Sequence, residues 1–357
     1  MRSRLRLLAA TMLLAGACRS PSSHEDGGEL YGVFQHDAAA HASASAGVSA
    51  ASARPSPPPD AGLGPRLPEL RRKPVAGPCV APSPREPEPS GTVRAERPAG
   101  RPGCRGARVL EWRDAAGDPR YACVFAPDGM AQRAPLPLLL FFHGELDSPS
   151  AVTQKTRLRE RAAKADLTGD PEHQGLVLLA PQGRRRSGGL RFDTEHRALD
   201  NVDVQAVDHF VTTLRGEGAI DVRRVYAIGD SAGGPMAALY AMLHPESVAA
   251  FALYGAEAPG LEWSCEGSPP PAMVLYRACD PIMPCEQVER WLEERSKRQL
   301  LTYGLRLDEG GGLEPACTMA RRCRGDKARA SHVRWPKERE PDLLEFLSRH
   351  SLEVAER

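Results

Sequence analysis

A serine flanked by glycines, between an apolar run and a helical pattern, constrains the fold of this chain more than any other feature. The apolar residues 225–228 lead into the sequence Gly-Asp-Ser-Ala-Gly at 229–233, and apolar residues then recur at helical spacing from Met236 to Leu243. The two glycines let a strand and a helix pass close to each other, because no Cβ atom stands between them. The pattern predicts a strand, a sharp turn with Ser231 at its apex, and a helix.

Ser231 in such a turn is placed as a nucleophile. A Gly-x-Ser-x-Gly turn between a strand and a helix is the nucleophile elbow of α/β-hydrolases, which exposes the serine hydroxyl above the edge of the sheet. A serine hydroxyl needs a general base near pH 7, and the base needs a carboxylate to orient it. In this fold the chain order is serine, acid, histidine, so we expect both partners downstream of Ser231.

Asp280 and His332 are the candidates for the acid and the base. Asp280 follows a short apolar run, where the loop at the carboxyl end of a strand would present an acid, and His332 lies just before the last helical pattern. A turn-forming Asp-Pro and a surface-loop histidine are the structural interpretations of the same two residues. Asp308 and Asp326 are alternatives for the acid, although neither follows a comparable apolar run. His350 is the only other histidine after Asp280.

The backbone N–H groups of Ala232 and Glu145 are the expected oxyanion donors. Ala232 directly follows the serine, and Glu145 belongs to the loop after the first buried strand, which supplies the second donor in this fold. Only the backbone of Glu145 would donate, and its carboxylate would oppose the developing negative charge unless it points away. We interpret the neighbouring His143 as a structural residue that braces this loop, with a second base as the alternative.

From Cys104 onward the chain alternates between strand and helix patterns. Strands are predicted at 136–142, 176–180, 224–228, 249–254 and 273–276, and helices at 151–165, 201–215, 286–298 and 342–349. A hairpin from 107 to 125, with its turn at 114–119, precedes them. Apolar strands that alternate with helices predict a mostly parallel sheet covered on both faces. We therefore predict an α/β-hydrolase with an N-terminal hairpin over residues 104–357.

The order of these motifs resembles a known family of esterases. The similarity spans residues 104–350, and its motifs are His143-Gly144, Asn201-Val202-Asp203, the block from Asp221 to Gly234, the Asp280-Pro281 loop and a histidine near Trp335-Pro336. These motifs are similar to those of secreted esterases related to polyhydroxybutyrate depolymerases and feruloyl esterases. The resemblance implies a serine carboxylesterase that needs no metal or organic cofactor. Its substrate would be a small or polymeric ester of short acyl, hydroxyalkanoate or hydroxycinnamate type. A serine peptidase of the same fold and a non-catalytic envelope lipoprotein are the alternatives.

The first 103 residues predict an export signal and a tether. Three arginines precede a short apolar stretch, and the sequence Leu-Ala-Gly-Ala-Cys at 14–18 resembles a bacterial lipobox. Residues 1–17 are therefore predicted to be a signal peptide and Cys18 the lipid-acylated first residue, an ordinary cleavage site being the alternative. Residues 18–103 are rich in Ala, Ser, Pro and Gly, which predicts a disordered tether. We expect an envelope lipoprotein held to a membrane by its lipid, with the outer membrane as its location.

Charge and cysteine content agree with an exported protein. The net charge of +1 gives no electrostatic basis for binding nucleic acid. Apart from Cys18, eight of the nine cysteines remain, and an even number in an exported chain indicates disulfides. We predict one bridge between Cys104 and Cys123 across the hairpin and another between Cys317 and Cys323. Zinc is the competing interpretation, but no Cys-x-x-Cys pair is present.

Overall fold

The computed structural model places the apolar runs of the sequence in the middle of an eight-stranded sheet. The strands are β1 (Leu70–Arg72), β2 (Arg108–Arg113), β3 (Pro119–Phe125), β4 (Leu136–Phe142), β5 (Val177–Pro181), β6 (Arg184–Arg186), β7 (Gly189–Arg191), β8 (Ile220–Asp230), β9 (Val248–Tyr254), β10 (Ala272–Arg277), β11 (Thr302–Leu307) and β12 (His350–Leu352). The helices are α1 (Ala151–Gln154), α2 (Leu158–Ala162), α3 (Val202–Gly216), α4 (Gly233–Leu243), α5 (Cys285–Lys297) and α6 (Glu340–Ser348).

The strand order of the large sheet is that of an α/β-hydrolase. Its strands lie in the order β2-β3-β5-β4-β8-β9-β10-β11. The β2–β3 hairpin is antiparallel and β3 pairs antiparallel with β5, whereas β5, β4, β8, β9, β10 and β11 run parallel. The predicted α/β-hydrolase with a mostly parallel sheet and an N-terminal hairpin is confirmed.

Two apolar layers, one on each face of the sheet, hold the helices. All seven residues of β4 are buried. Because side chains alternate along a strand, Leu138 and Leu140 pack with α3, α4 and α5, while Leu139 and Phe141 pack with α1, α2 and α6. The uninterrupted apolar run 136–142 therefore forms a strand that is buried on both faces, as predicted.

The structure describes residues 68–81, 83, 99–128, 134–170, 173–186, 189–256, 265, 267–314, 317 and 331–353. The predicted signal peptide, Cys18 and most of the predicted tether lie outside these ranges. Among the residues inside them, no helix has the length and apolar character needed to cross a membrane.

Residues 68–81 are part of the folded unit, so the predicted boundary at Cys104 is too far along the chain. Strand β1 pairs in parallel with β12, and Cys79 forms a disulfide with Cys265. The Arg72 guanidinium also donates to the carbonyl oxygens of Pro245 and Val248, at 2.6 and 2.7 Å. Strand pairing, a disulfide and the burial of Val75 and Val80 in the core of the domain hold this segment, which has no apolar core of its own. Its composition therefore did not reveal it.

The disulfides follow the prediction at the hairpin and depart from it near the C-terminus. Cys104 pairs with Cys123, as predicted. Cys317 pairs with Cys285, with 5.8 Å between the Cα atoms, so the predicted Cys317–Cys323 bridge is wrong. The pairing arises because the chain after β11 turns back toward the start of α5. Arg306 of β11 donates to the carbonyl oxygen of Glu314, at 2.8 Å. Cys323 lies outside the described residues.

Every cysteine in the described ranges is disulfide-bonded, including Cys279. Cys285, Glu289 and Cys317 lie close enough together to suggest a metal site. The two sulfur atoms are already bonded to each other, so neither can serve as the thiolate ligand that zinc requires. The cluster is a disulfide beside a carboxylate.

The helix predicted over 151–165 is two short helices, α1 and α2. Thr156 separates them, because its hydroxyl donates to the carbonyl oxygen of Val152 and accepts from the N–H of Leu158 at 3.1 Å. A threonine side chain that bonds to nearby backbone groups competes with the helical ladder. The break brings Lys155 to the end of α1, at the edge of the site described next.

Candidate active site

Ser231 occupies the sharp turn that the sequence predicts between β8 and α4. Its φ of +51° lies in the left-handed region, which a residue with a side chain adopts only when its surroundings enforce it. Its N–H donates to the carbonyl oxygen of Tyr254 at 2.8 Å. A Cβ on Gly229 would lie 2.2 Å from the carbonyl oxygen of Gly233, and one on Gly233 would lie 2.1 Å from that of Phe142. Both glycines are required by this close approach of strand and helix.

Ser231, His332 and Asp280 form a continuous hydrogen-bonded chain. The Ser231 Oγ lies 2.7 Å from His332 Nε2, and His332 Nδ1 lies 2.7 Å from Asp280 Oδ2. Asp280 and His332 are both buried. Since a carboxylate only accepts, the imidazole proton is on Nδ1, and Nε2 is left to accept the serine proton.

The acid is oriented by its own loop. The backbone N–H groups of Ile282 and Met283 both donate to Asp280 Oδ1, each at 2.9 Å. This leaves Oδ2 for the histidine. The Asp-Pro turn expected as a structural interpretation is therefore present, and it also presents the carboxylate to His332.

A buried tyrosine and a buried arginine hold the segment that carries His332. The Tyr254 hydroxyl donates to the carbonyl oxygen of Ser331 at 3.0 Å and lies 2.5 Å from that of Arg334. The Arg277 guanidinium in turn donates to the Tyr254 hydroxyl at 3.1 Å. Burial raises the pKa of Tyr254, so the hydroxyl keeps its proton and remains a donor. No sequence motif had indicated a role for these two residues.

The alternative acid and base lie elsewhere. Asp308 Oδ1 accepts from the N–H of Gly312 at 2.7 Å and closes its own turn. His350 lies in β12, opposite Leu70. Asp326 lies outside the described residues. Of the downstream candidates that the structure describes, it is therefore Asp280 and His332 that are brought to Ser231.

His143 braces the loop after β4. Its Nδ1–H donates to the carbonyl oxygen of Gly144 at 2.7 Å, and its Nε2 accepts from the N–H of Gly183 at 3.1 Å. Burial lowers the pKa of His143 to about 4, so the ring is neutral. Both ring nitrogens are engaged by the backbone, which agrees with the structural interpretation of this residue.

The Glu145 carboxylate is engaged on the β6–β7 hairpin. It forms an ion pair with Arg191 of β7, which offsets the charge that would oppose an oxyanion. Gly189 packs against the same residue, since a Cβ there would lie 2.3 Å from the Glu145 carbonyl oxygen. Neither the Glu145 N–H nor the Ala232 N–H donates to another residue in the described part of the chain. Both N–H groups are therefore candidates for binding an oxyanion.

Three charged residues near Ser231 were not predicted. Asp230, the last residue of β8, is buried, and its Oδ2 lies 3.2 Å from Lys155 Nζ. The same ammonium lies 2.5 Å from Asp147 Oδ2. Burial raises the pKa of Asp230 to about 6, although Lys155 opposes this. The available signal was a carboxylate directly before the serine, at the end of a strand whose preceding run 225–228 is apolar.

Comparisons with known proteins add structural neighbours. No protein-family model matches this chain. No curated protein matches it either. A thermostable esterase is similar in structure at 18% sequence identity. The match covers 70% of this chain and 64% of that chain, with a TM-score of 0.47. This chain thus spans just under two thirds of that protein. The butyrate-bound esterase 2 of Thermogutta terrifontis is 16% identical to this chain. The match covers 70% of this chain and 95% of that chain, with a TM-score of 0.48. The same esterase phosphorylated by paraoxon is 18% identical. That match covers 59% of this chain and 86% of the esterase, with a TM-score of 0.43.

Proposed function

We propose that this protein is a serine hydrolase that cleaves carboxylic esters. The observation that carries the proposal is the chain from Ser231 through His332 to Asp280, with both hydrogen bonds at 2.7 Å. The serine is held at a strained turn, the histidine tautomer is fixed by a carboxylate, and two candidate N–H groups lie in the loops on either side. Together these are the parts that acyl transfer through a serine requires.

The proposed reaction proceeds through an acyl-enzyme. The Ser231 oxygen attacks the ester carbonyl carbon while His332 Nε2 takes the hydroxyl proton, and Asp280 stabilises the imidazolium. The N–H groups of Ala232 and Glu145 receive the oxyanion of the tetrahedral intermediate. His332 then protonates the leaving alcohol oxygen as the carbon–oxygen bond breaks. Water repeats the sequence on the acyl-enzyme, releases the carboxylic acid and restores the serine.

Exposed apolar side chains close in sequence to three of the site residues support an apolar ester as substrate. Leu146 follows Glu145 and is 82% exposed, Ile282 lies two residues after Asp280 and is 63% exposed, and Val333 follows His332 and is 52% exposed. We propose that these side chains contact the apolar part of the ester, because ligand sites are lined mainly by apolar side chains. With the resemblance described above, this supports short acyl, hydroxyalkanoate or hydroxycinnamate esters.

We also propose that the N-terminal segment directs export of the protein. The disulfides support an oxidising compartment, where such bonds persist. The lipobox-like sequence at 14–18 supports acylation of Cys18 and a place on the bacterial envelope.

Labelling with a fluorophosphonate probe tests the proposal directly. We expect the wild-type protein to be labelled at Ser231 and to hydrolyse p-nitrophenyl esters. Ser231→Ala should abolish labelling and lower turnover by several orders of magnitude, because triad members act as a unit. Ser247→Ala, at a turn serine whose hydroxyl donates to the carbonyl oxygen of His244, is the control and should change neither.

Each other outcome rejects part of the proposal. Labelling that persists in Ser231→Ala would place the nucleophile elsewhere. Activity on peptides without activity on esters would indicate a peptidase, and a wild-type protein that is neither labelled nor active would indicate a binding protein. A series of p-nitrophenyl esters, methyl ferulate and polyhydroxybutyrate then ranks the proposed substrates.

A further inference from the structure

Lys155 joins two carboxylates that belong to different halves of the site. Its ammonium lies 2.5 Å from Asp147 Oδ2 and 3.2 Å from Asp230 Oδ2. Asp147 belongs to the loop after β4, whereas Asp230 ends β8 directly before Ser231. We refer to these three residues as the Lys155 bridge. The proposed mechanism gives none of them a chemical step.

The two ends of the Lys155 bridge lie beside the two proposed oxyanion donors. Asp147 is two residues after Glu145, and Asp230 is two residues before Ala232. The N–H of Asp147 donates to the carbonyl oxygen of Gly144 at 3.1 Å, so the carboxylate and the donor belong to one tight turn. The separation of Asp147 from Asp230 therefore bears on the separation of the two N–H groups.

The loop and the elbow are also in contact at Gly144. A Cβ at this position would lie 3.1 Å from Asp147 Oδ2 and 3.5 Å from both the Asp230 carbonyl oxygen and the Ser231 Cβ. Glycine thus lets the loop rest against the elbow, and the Lys155 bridge fastens the two on one side of that contact. The β6–β7 hairpin, through Arg191 and Glu145, fastens the loop elsewhere.

Compensation of the buried charge on Asp230 would by itself require only one of the two contacts. The Asp230 side chain is 2% exposed and needs a cation when ionised, but the Asp147 side chain is 23% exposed and can be hydrated. Burial favours the neutral amine of Lys155, yet the two carboxylates outweigh this effect and raise its pKa. The charged ammonium therefore has a second carboxylate partner, Asp147, which is not needed to compensate the charge of Asp230.

We propose that Lys155 is a positioning residue that sets the separation of the two oxyanion N–H donors by holding Asp147 against Asp230. The inference rests on the proposed function, because it assigns a role within that site. Oxyanion donors act only when they are fixed about 2.7–3.1 Å from the position of the developing charge. Loss of one such donor costs roughly 10²–10³-fold in kcat, so a displaced donor should cost about 10–100-fold.

Asp147→Ala is the variant that separates positioning from charge compensation. It removes the loop end of the bridge and leaves the Lys155–Asp230 pair in place, so the buried charge stays compensated and the protein should fold. We expect kcat for p-nitrophenyl acetate to fall about 10–100-fold with KM nearly unchanged. The rate of fluorophosphonate labelling should fall with it, because the phosphoryl oxygen of the adduct occupies the same hole.

Lys155→Met and Lys155→Arg complete the test. Lys155→Met should lower both kcat and the melting temperature, and Lys155→Arg should restore most of kcat, because a guanidinium can bind two carboxylates at once. Arg161→Met is the matched control. It breaks the ion pair of Arg161 with Glu340, whose side chains are 31% and 0% exposed. This pair is about as buried as that of Lys155 with Asp230, whose side chains are 27% and 2% exposed. It should lower the melting temperature and leave kcat unchanged.

Three outcomes overturn the inference, and they are distinguishable. If the wild-type protein is labelled at Ser231 but Asp147→Ala retains wild-type kcat and labelling rate, Lys155 only compensates charge and the positioning role is wrong. If the wild-type protein is not labelled at Ser231, the proposed function fails and this inference fails with it. A loss of kcat in Arg161→Met as large as that in Lys155→Met would also reject a specific role.

Discussion

Replacement of Asp280 by asparagine should trap His332 in the wrong tautomer. Asp280 Oδ1 accepts from the N–H groups of Ile282 and Met283, and Oδ2 accepts from His332 Nδ1–H. In Asp280→Asn the two backbone donors require the amide oxygen at the Oδ1 position. The amide NH₂ group must then face His332, where it donates to Nδ1. The imidazole proton moves to Nε2, which can no longer take the proton of Ser231.

The expected loss follows from the chemistry of that tautomer. A triad whose histidine carries its proton on the wrong nitrogen loses about 10⁴-fold in kcat, or about 5 kcal/mol of transition-state stabilisation. The fold should be little changed, because asparagine has nearly the same shape and keeps both backbone hydrogen bonds. We therefore expect the melting temperature of Asp280→Asn to stay within about 2 °C of the wild type, a small shift for a domain of this size.

The assay is steady-state hydrolysis of p-nitrophenyl acetate at pH 8, with the melting temperature measured on the same preparations. Asp308→Asn serves as the control, because Asp308 is the alternative acid and its carboxylate closes a separate turn. The reasoning is refuted if Asp280→Asn loses less than about tenfold in kcat, or if Asp308→Asn loses as much as Asp280→Asn.

Three further predictions concern the frame and the anchor. Cys79→Ser opens a bridge between residues 186 apart and should cost about 3–5 kcal/mol, seen as a lower melting temperature without reductant; an unchanged value would contradict a structural role for residues 68–81. Burial lowers the pKa of His350 to about 4, so its neutral form stabilises the fold above pH 6.5, and this contribution is lost as the pH falls through 4. His350→Leu should therefore flatten the fall in melting temperature between pH 6.5 and 4, and an equal slope in both proteins would reject this. Cys18→Ser should shift the protein from the membrane to the soluble fraction, whereas release of the wild type by high salt would argue against a lipid anchor.

The turn at Ser231 and its hydrogen-bonded partners His332 and Asp280 could be predicted from sequence because their signals are local. The glycines at 229 and 233, the apolar strand before them and the helical pattern after them are all within about twenty residues. The order of serine, acid and histidine then follows from the fold, and the apolar run 273–276 shortly before Asp280 marks the end of a strand. Each of these inferences needs only the chain near one residue and one rule of topology.

The features that sequence did not reveal depend on contacts between distant segments. Strand β1 is three residues long and exists because β12 lies beside it. Cys317 is closer in sequence to Cys323 but bonds to Cys285, since the chain after β11 returns to the start of α5. The contact of Lys155 with Asp230 joins residues 75 apart, and nothing in the spacing of those residues indicates it. Charged residues that meet across elements carry no period of their own.

The acid loop shows how the frame and the chemistry depend on each other. Asp280 lies in the short connection between β10 and α5, and the cysteines at 279 and 285, one on each side of it, are both disulfide-bonded. A loop that presents a catalytic carboxylate must keep its position to a fraction of an ångström, because misplacement of a group by about 1 Å can cost roughly 10²-fold in rate. Here the two cross-links fix the ends of the loop, while the N–H groups of Ile282 and Met283 fix the carboxylate within it. In a reducing compartment the same loop would lose both covalent supports and keep only the two hydrogen bonds. The proposed export of this protein and the proposed geometry of its triad therefore support each other, because oxidation holds the acid in place for His332.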